Sequence, residues 1–536
     1  MSKSSNGNIL YYGENLDILR KYIKSETVDL IYLDPPFNSN RDYNVLFEEK
    51  NGTDSASQIK VFGDTWKWDV ESAGLFHDTV QTGGHVADAL QGFQKILGNN
   101  DMLAYLSMMA PRLKELYRVL KHTGTIYLHC DPTASHYIKI LMDAVFGPEH
   151  FVSEIIWRRK FQSATIASNQ RSFGNNHDSI LFYVKSDEYT LNPVISEREV
   201  DLTDYPHDAD GYYKSAPADG EGQYSKDTLK RMLKAGEAYK TRTGRIRKRI
   251  GLKEVNGKLI DAIRVDNMWT DLPNMMHVPK DERLGYPTQK PKALLGRIIE
   301  ASSSEGDLVL DPFCGCGTTI EAAQYLKRRW IGIDVTYLAI ALMKHRLDSK
   351  FQNRVHYTVV GEPVSLPDAV QLANDDKYQF QWWALSLVHA RPVEPKKGAD
   401  RGIDGVLKFF LDSRSTEIYE IIFSVKGGHV TVSQVRDLVG VVNREKAAIG
   451  AFITLEEQTT DMRTEAASAG FFTFRELVDK KYPKIQIRTV AQLLEGKLFD
   501  FPPFALREGN ATFKAFAKPQ LTKKHPTKLL TDTILG

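Results

Sequence analysis

Two periodicities alternate along the first two-thirds of the chain. Short apolar runs bounded by polar or turn residues predict strands at 28–33, 125–130, 152–157, 179–184, 308–310 and 330–333. Between them lie stretches with apolar residues three and four apart. The clearest is 101–120, where Leu103, Leu106, Met109, Leu113, Leu116 and Leu120 form one helical stripe, with Gly124 read as the helix end. A further helix is expected at 134–146, and a short strand leading into a helix at 8–19. This alternation predicts an α/β fold built on a doubly wound sheet. The stretch 38–98, with Arg41, Tyr43, Trp66 and Trp68, is polar and weakly periodic and reads as a long loop. From 187 to 284 the alternation fades and charge dominates, which marks an insertion. After residue 360 a second α/β pattern begins, with strands at 417–425, 450–455 and 471 and helices at 432–446 and 459–469. The expected division is two halves of one domain, 1–186 and 285–360, around the insertion 187–284, then a domain at 378–500 and a tail at 501–536.

The candidate chemistry sits at two strand ends. The run at 28–33 stops abruptly in Asp34-Pro35-Pro36-Phe37. In open α/β sheets ligands lie beyond the carboxyl ends of strands, so a carboxylate, two rigid prolines and an aromatic there form a candidate reaction site. The strand 308–310 runs into Asp311-Pro312-Phe313-Cys314-Gly315-Cys316-Gly317-Thr318-Thr319, then a helix, then a second strand that ends in Asp334. Gly315 and Gly317 permit a tight turn with close ligand approach, and an acid about 20 positions later suits a ribose diol. That order marks a nucleoside-cofactor site. The missing third glycine argues against a dinucleotide fingerprint, and the lack of a lysine inside the turn argues against a P-loop.

Composition narrows the setting. The 536 residues are 42% hydrophobic and 26% charged with a formal net charge of +2, ordinary for a soluble globular protein. A nucleic-acid surface must therefore come from local charge. Lys240, Arg242, Arg245, Arg247, Lys248, Arg249 and Lys253 lie in one run without an acid, suited to counterion release on binding phosphate, or alternatively to a solvated basic face. Cys130, Cys314 and Cys316 have no metal-ligand spacing, which fits a reducing, cytoplasmic location. The start MSKSSNGN has no apolar signal core, and no stretch approaches a membrane span. His177, beside Asp178, is read as either a base or phosphate contact or a structural hydrogen-bonding residue.

DPPF together with DPFCGCGTT resembles the amino-methyltransferases of DNA, over roughly residues 8–357. The catalytic tetrapeptide precedes the cofactor turn, as in the beta group that includes the modification subunits of type III restriction systems. The resemblance implies a Rossmann-like domain that uses S-adenosylmethionine to methylate an exocyclic amine in double-stranded DNA. It further implies target recognition by the insertion, a place for Asp17 at the cofactor's adenosine and for Lys290 near its methionine portion. The mechanism expected has Asp34 and the Pro35 carbonyl accepting the amino hydrogens, Pro36 stiffening that backbone and Phe37 stacking on a flipped base. Adenine is favoured over cytosine, and a restriction subunit and a homodimer are left open as partners.

The later segment, over roughly 380–480, resembles the PD-(D/E)xK nuclease fold of Mrr-like restriction endonucleases. Asp404 matches the metal-binding acid and Lys426 the catalytic lysine, but Ser424 stands where the family carries Glu or Gln. A hard divalent cation such as Mg2+ needs acidic oxygens. The sequence leaves an active nuclease, and hence a bifunctional restriction-modification enzyme, open beside a noncatalytic domain.

Overall fold

The computed structural model describes residues 7–36, 67–160, 175–201, 205–208, 211–220, 224–255, 258–284, 286, 288–351, 354–393, 402–410, 418–473 and 481–502. Phe37, Arg41, Tyr43, Trp66 and the tail from 503 lie outside them.

A nine-stranded sheet organises the first 360 residues. Its order is Met268–Trp269, Phe151–Arg158, His177–Val184, Leu120–Cys130, Val28–Leu33, Leu308–Asp311, Arg329–Asp334, Asn8–Tyr12 and Tyr357–Val360. Neighbours pair in parallel except His177–Val184, which runs antiparallel to both of its partners. The six residues of the Val28–Leu33 strand are nearly all buried, as a strand covered on both faces requires. Helices Asn15–Tyr22, Asp101–Val119 and Pro132–Phe146 share one apolar core beneath the sheet. Helices Lys292–Ser302, Thr318–Tyr325 and Tyr337–Phe351 share the other. From Val28–Leu33 the chain builds the sheet outward through Leu120–Cys130; from Leu308–Asp311 it builds the opposite way through Arg329–Asp334. The order therefore reverses between these two adjacent strands, where an open α/β sheet forms its crevice.

Two sequence expectations change. The stretch 38–98 is not all loop, since Val70–Gln81 and His85–Leu97 are helices, the first capped by Asp69 and the second bounded by Gly84 and Gly98. Gly124 does not end a helix: that helix stops at Val119, Leu120 turns extended, and Gly124 lies inside an eleven-residue strand.

The insertion folds into two small antiparallel sheets. One joins His207–Asp208, Gly211–Pro217, Ile246–Gly251 and Ala238–Lys240; the other joins Lys253–Val255, Lys258–Arg264 and Ile195–Val200. The later segment forms a mixed five-stranded sheet in the order Arg391–Pro392, Gly405–Phe410, Ile418–Lys426, Ile449–Thr454 and Ile485–Thr489. Helices Leu366–Asp375 and Lys377–Ser386 link it to the first sheet, where Gln379 Oε1 accepts from Tyr337 N at 3.1 Å and Tyr12 stacks on Tyr337 at 3.7 Å between ring centroids. No helix among the described residues is long and apolar enough to cross a membrane.

Candidate active site

The two motifs converge at the reversal point. Leu30 lies beside Val309 and Ile31 beside Leu310, so Asp34 leaves the sheet alongside the residues that follow Asp311. Pro35, which has no N–H to extend the ladder, is buried, while Asp34 and Pro36 stay partly open. Lys290 pairs with Asp34 Oδ2. Asp34 Oδ1 is buried and has no partner among the described residues. Behind Asp34, Tyr32 Oη lies 2.9 Å from His129 Nδ1, and His129 Nε2 lies 3.2 Å from Asp178 Oδ2. Arg159 completes this row as an ion pair with Asp178 at 2.9 Å.

In the glycine turn, Gly315 and Gly317 have φ of 48° and 75°. A side chain there would be strained, and the space is as restrictive as the backbone: a Cβ on Gly317 would come within 2.4 Å of Met343 Cγ. Gly317 also caps the helix Thr318–Tyr325 without a side-chain acceptor. Asp334 folds back on the turn, its Oδ2 accepting from Gly315 N at 2.9 Å and its Oδ1 from Thr336 N at 2.9 Å. Asp311 Oδ1 accepts from Phe313 N at 3.1 Å, and Phe313 packs at the margin of the core. Burial raises the Asp311 carboxyl to about 7, with the charges of Asp34 and Asp334 adding to the effect, against the opposing hydrogen bond of Thr319. Burial likewise raises Asp334 to about 6. Hydrogen-bond donors brought to these two carboxyls would favour their ionised forms. Burial pushes the thiols of Cys314 and Cys316 upward, which removes them as thiolate nucleophiles.

Several supports of this site were not singled out in the sequence. Arg346, almost fully buried, pairs with Glu321 and donates to Cys316 O at 2.9 Å and Thr318 Oγ1 at 3.1 Å. Its signal was a lone arginine among Leu342, Met343 and Leu347 on an apolar helix. Asn15 Nδ2 donates to Pro312 O at 3.0 Å and is itself held by Arg112 Nε at 2.7 Å. Asn15, not Asp17, thus ties the first helix to the turn; Asp17 is exposed beside Lys21 at 3.8 Å.

Five residues of the basic run divide by environment. Arg242 and Arg245 are exposed in a turn. Arg247 donates to Ser215 Oγ at 2.5 Å and Ser215 O at 2.9 Å. The Arg249 guanidinium lies over Tyr213 at 5.0 Å and Tyr239 at 5.5 Å, and the Lys248 ammonium lies 5.8 Å from the Tyr224 ring. His177 opens its strand opposite Arg158.

In the later sheet, Asp404 and Lys426 do come together, at 3.5 Å. Asp404 Oδ2 also accepts from Val425 N at 2.7 Å and Ser424 Oγ at 3.3 Å, and Oδ1 from Gln381 at 3.4 Å. Glu420, on the same strand, pairs with Lys408 at 2.6 Å, and Arg436 pairs with Glu465 at 2.9 Å. Among the described residues no group of three or more His, Cys, Asp or Glu is arranged to hold a metal ion.

Comparison with known proteins matches two regions of the chain. Residues 378–494 match a family described as NACHT-associated inactive restriction endonuclease 1. The chain is 31% identical to the Type II methyltransferase M.EcaI of Enterobacter cloacae, over 45% of this chain and 57% of that protein. It is 26% identical to the Mod subunit of the Type III restriction-modification enzyme StyLTI of Salmonella typhimurium, over 60% of this chain and 50% of that protein. The chain therefore spans about half the length of these relatives. A solved structure of the cytosine-N4-specific PvuII DNA methyltransferase aligns at 13% identity and a TM-score of 0.34, covering 65% of this chain and 89% of that one. Residues 28–344, more than half of the chain and inclusive of both strand-end motifs, match the DNA methylase family, to which this protein belongs.

Proposed function

We propose that the chain transfers a methyl group from S-adenosylmethionine to the exocyclic amine of a flipped base in double-stranded DNA, with adenine the favoured base. The observation that carries this reading is the placement of Asp34 on the strand next to the glycine turn, with one buried carboxylate oxygen still lacking a partner among the described residues. When bound, S-adenosylmethionine supplies an electrophilic methyl group on a sulfonium. Gly315 and Gly317 keep the turn clear of side chains, and Asp311 and Asp334 accept from the cofactor's hydroxyl and amino donors. Asp34 Oδ1 and the Pro35 carbonyl accept the amine hydrogens, which draws the nitrogen lone pair out of ring conjugation. That lone pair would take the methyl that bound S-adenosylmethionine supplies, and Asp34 would pass the surplus amine proton to water. Phe37 stacks on the base, and Arg242 and Arg245 contact phosphate. The relatives' context adds a restriction subunit as partner and a cytoplasmic, defence-related role.

For the later domain we favour a nuclease fold that contacts DNA without cutting it. The Ser424 hydroxyl donates to Asp404 where a second carboxylate would be needed, so Mg2+ would meet too few acidic oxygens.

The test uses the full chain, labelled S-adenosylmethionine and DNA from a methylation-free host. Incorporation is expected, with N6-methyladenine recovered on digestion, and Asp34→Ala should abolish it while cofactor affinity by calorimetry is kept. Incorporation unchanged in D34A would remove Asp34 from this role; N4-methylcytosine in the digest would replace the base.

A further inference from the structure

The helix Tyr337–Phe351 sets two residues against the glycine turn. Met343 and Arg346 are three apart and share one helix face. Met343 fills the space that a Cβ on Gly317 would need. Arg346 Nη1 donates to Cys316 O at 2.9 Å and to Thr318 Oγ1 at 3.1 Å, while its Nε pairs with Glu321 on the helix that follows the turn. Glu321 Oε1 also lies 3.4 Å from Lys292 Nζ. Both Arg346 and Glu321 are almost fully buried. Such a pair is poor evidence of a gain in stability, because apolar side chains of similar size often serve as well in its place. What they cannot supply is the pair of donors to the Cys316 carbonyl and the Thr318 hydroxyl.

That carbonyl and the Gly317 N–H belong to one peptide. The N–H donates to Cys314 O at 2.8 Å, inside the turn, and the carbonyl accepts from Arg346, outside it. Gly317 has a φ of 75°, and glycine takes either sign of φ without steric cost. Rotation about Cys316 ψ and Gly317 φ can therefore turn this peptide over. The residue that keeps the turn clear of side chains also lets it take more than one shape. A charge-assisted bond from a neighbouring helix selects one of them.

We propose that Arg346, oriented by Glu321, is a positioning residue that holds the Cys316–Gly317 peptide against flipping and so keeps the glycine turn in its cofactor-accepting form. It acts on cofactor affinity and not on the methyl-transfer step. The inference rests on the reading of this turn as the S-adenosylmethionine site.

The experiment compares the wild type with Arg346→Met, Arg346→Lys and the double variant R346M/E321M, all in the full chain. It reads the S-adenosylmethionine dissociation constant by calorimetry without DNA, kcat and KM for DNA by labelled methyl incorporation, and the melting temperature without cofactor. A turn that holds the accepting form about a tenth of the time binds about tenfold more weakly, which is the loss expected in R346M. At saturating cofactor, kcat and KM for DNA should stay within about twofold of wild type, because the cofactor itself then restores the turn. R346K should recover part of the affinity, since its ammonium still donates to the Cys316 carbonyl. In the double variant no buried carboxylate is left without its arginine, so the melting temperature should recover while cofactor affinity stays about tenfold weaker. Wild-type cofactor affinity in R346M, affinity that recovers together with the melting temperature in the double variant, or a lower kcat with unchanged affinity would overturn the proposal. A wild-type chain that does not bind S-adenosylmethionine would instead overturn the reading of the turn, so the two failures are distinguishable.

Discussion

Asp311 and Asp334 give the site its own pH signature. Both carboxyls rise from an unfolded value of 3.8, to about 7 and about 6, because burial disfavours their charge. Between roughly pH 4 and 7 the folded chain therefore binds more protons than the unfolded one, and the contribution of these groups to stability falls as pH climbs through that window. A ligand that donates hydrogen bonds to them favours the ionised forms, so cofactor binding should expel protons. Calorimetry of S-adenosylmethionine binding in buffers of different ionisation enthalpy should show proton release near pH 6 to 7, fading above about pH 8. Asp311→Asn should remove most of it; identical heats in all buffers would show that the cofactor does not engage these acids. The same two residues were the most legible part of the site. A strand ending in an acid, a glycine turn and a second strand ending in an acid is a local pattern that needs no tertiary knowledge. Asn15, Arg112 and Arg346 were not legible, because what makes them matter is which carbonyl they reach across the fold.

At the scale of elements, sequence reading worked where periodicity was continuous and failed where caps set the boundaries. The stripe at 101–120 became the helix Asp101–Val119, and the apolar run at 28–33 became a buried strand. His85–Leu97 was missed because its buried residues Val86, Leu90 and Phe93 sit between two glycines that read as loop. The basic run shows the converse. Its residues alternate across the strand Ile246–Gly251, so Arg247 and Arg249 turn toward Ser215, Tyr213 and Tyr239 and support the small sheet. Arg242 and Arg245 in the preceding turn stay open to a phosphate backbone. Every cation that neutralises a phosphate steepens the salt dependence by about one, so R242A/R245A is expected to lower the slope of log affinity against log salt by about two. R247A/R249A should instead lower the melting temperature of the chain. A salt slope unchanged in R242A/R245A would move the DNA-binding surface elsewhere.

At the scale of the whole molecule, two α/β units meet just beyond the strand end that carries Asp334. Tyr337 follows that strand, stacks on Tyr12 and is capped by Gln379, while Phe380 and Trp383 pack in the same core. This placement was beyond sequence reasoning, since Tyr12, Tyr337 and Gln379 meet only through the tertiary fold. The Asp404 cluster is saturated by backbone and side-chain donors, with Ser424 among them. Supercoiled plasmid DNA incubated with the full chain and Mg2+ should therefore stay intact under conditions that support methylation. Nicking that disappears in Lys426→Ala would reverse that assignment.

The sheet order has one more consequence. Asn8–Tyr12 is threaded between Arg329–Asp334 and Tyr357–Val360, and Val28–Leu33 is zipped to Leu308–Asp311, so early and late chain segments interleave. A polypeptide severed inside the insertion would yield two halves whose sticky strand edges are each other's missing neighbours. Such halves, made separately and mixed, are expected to find one another and rebuild the crevice.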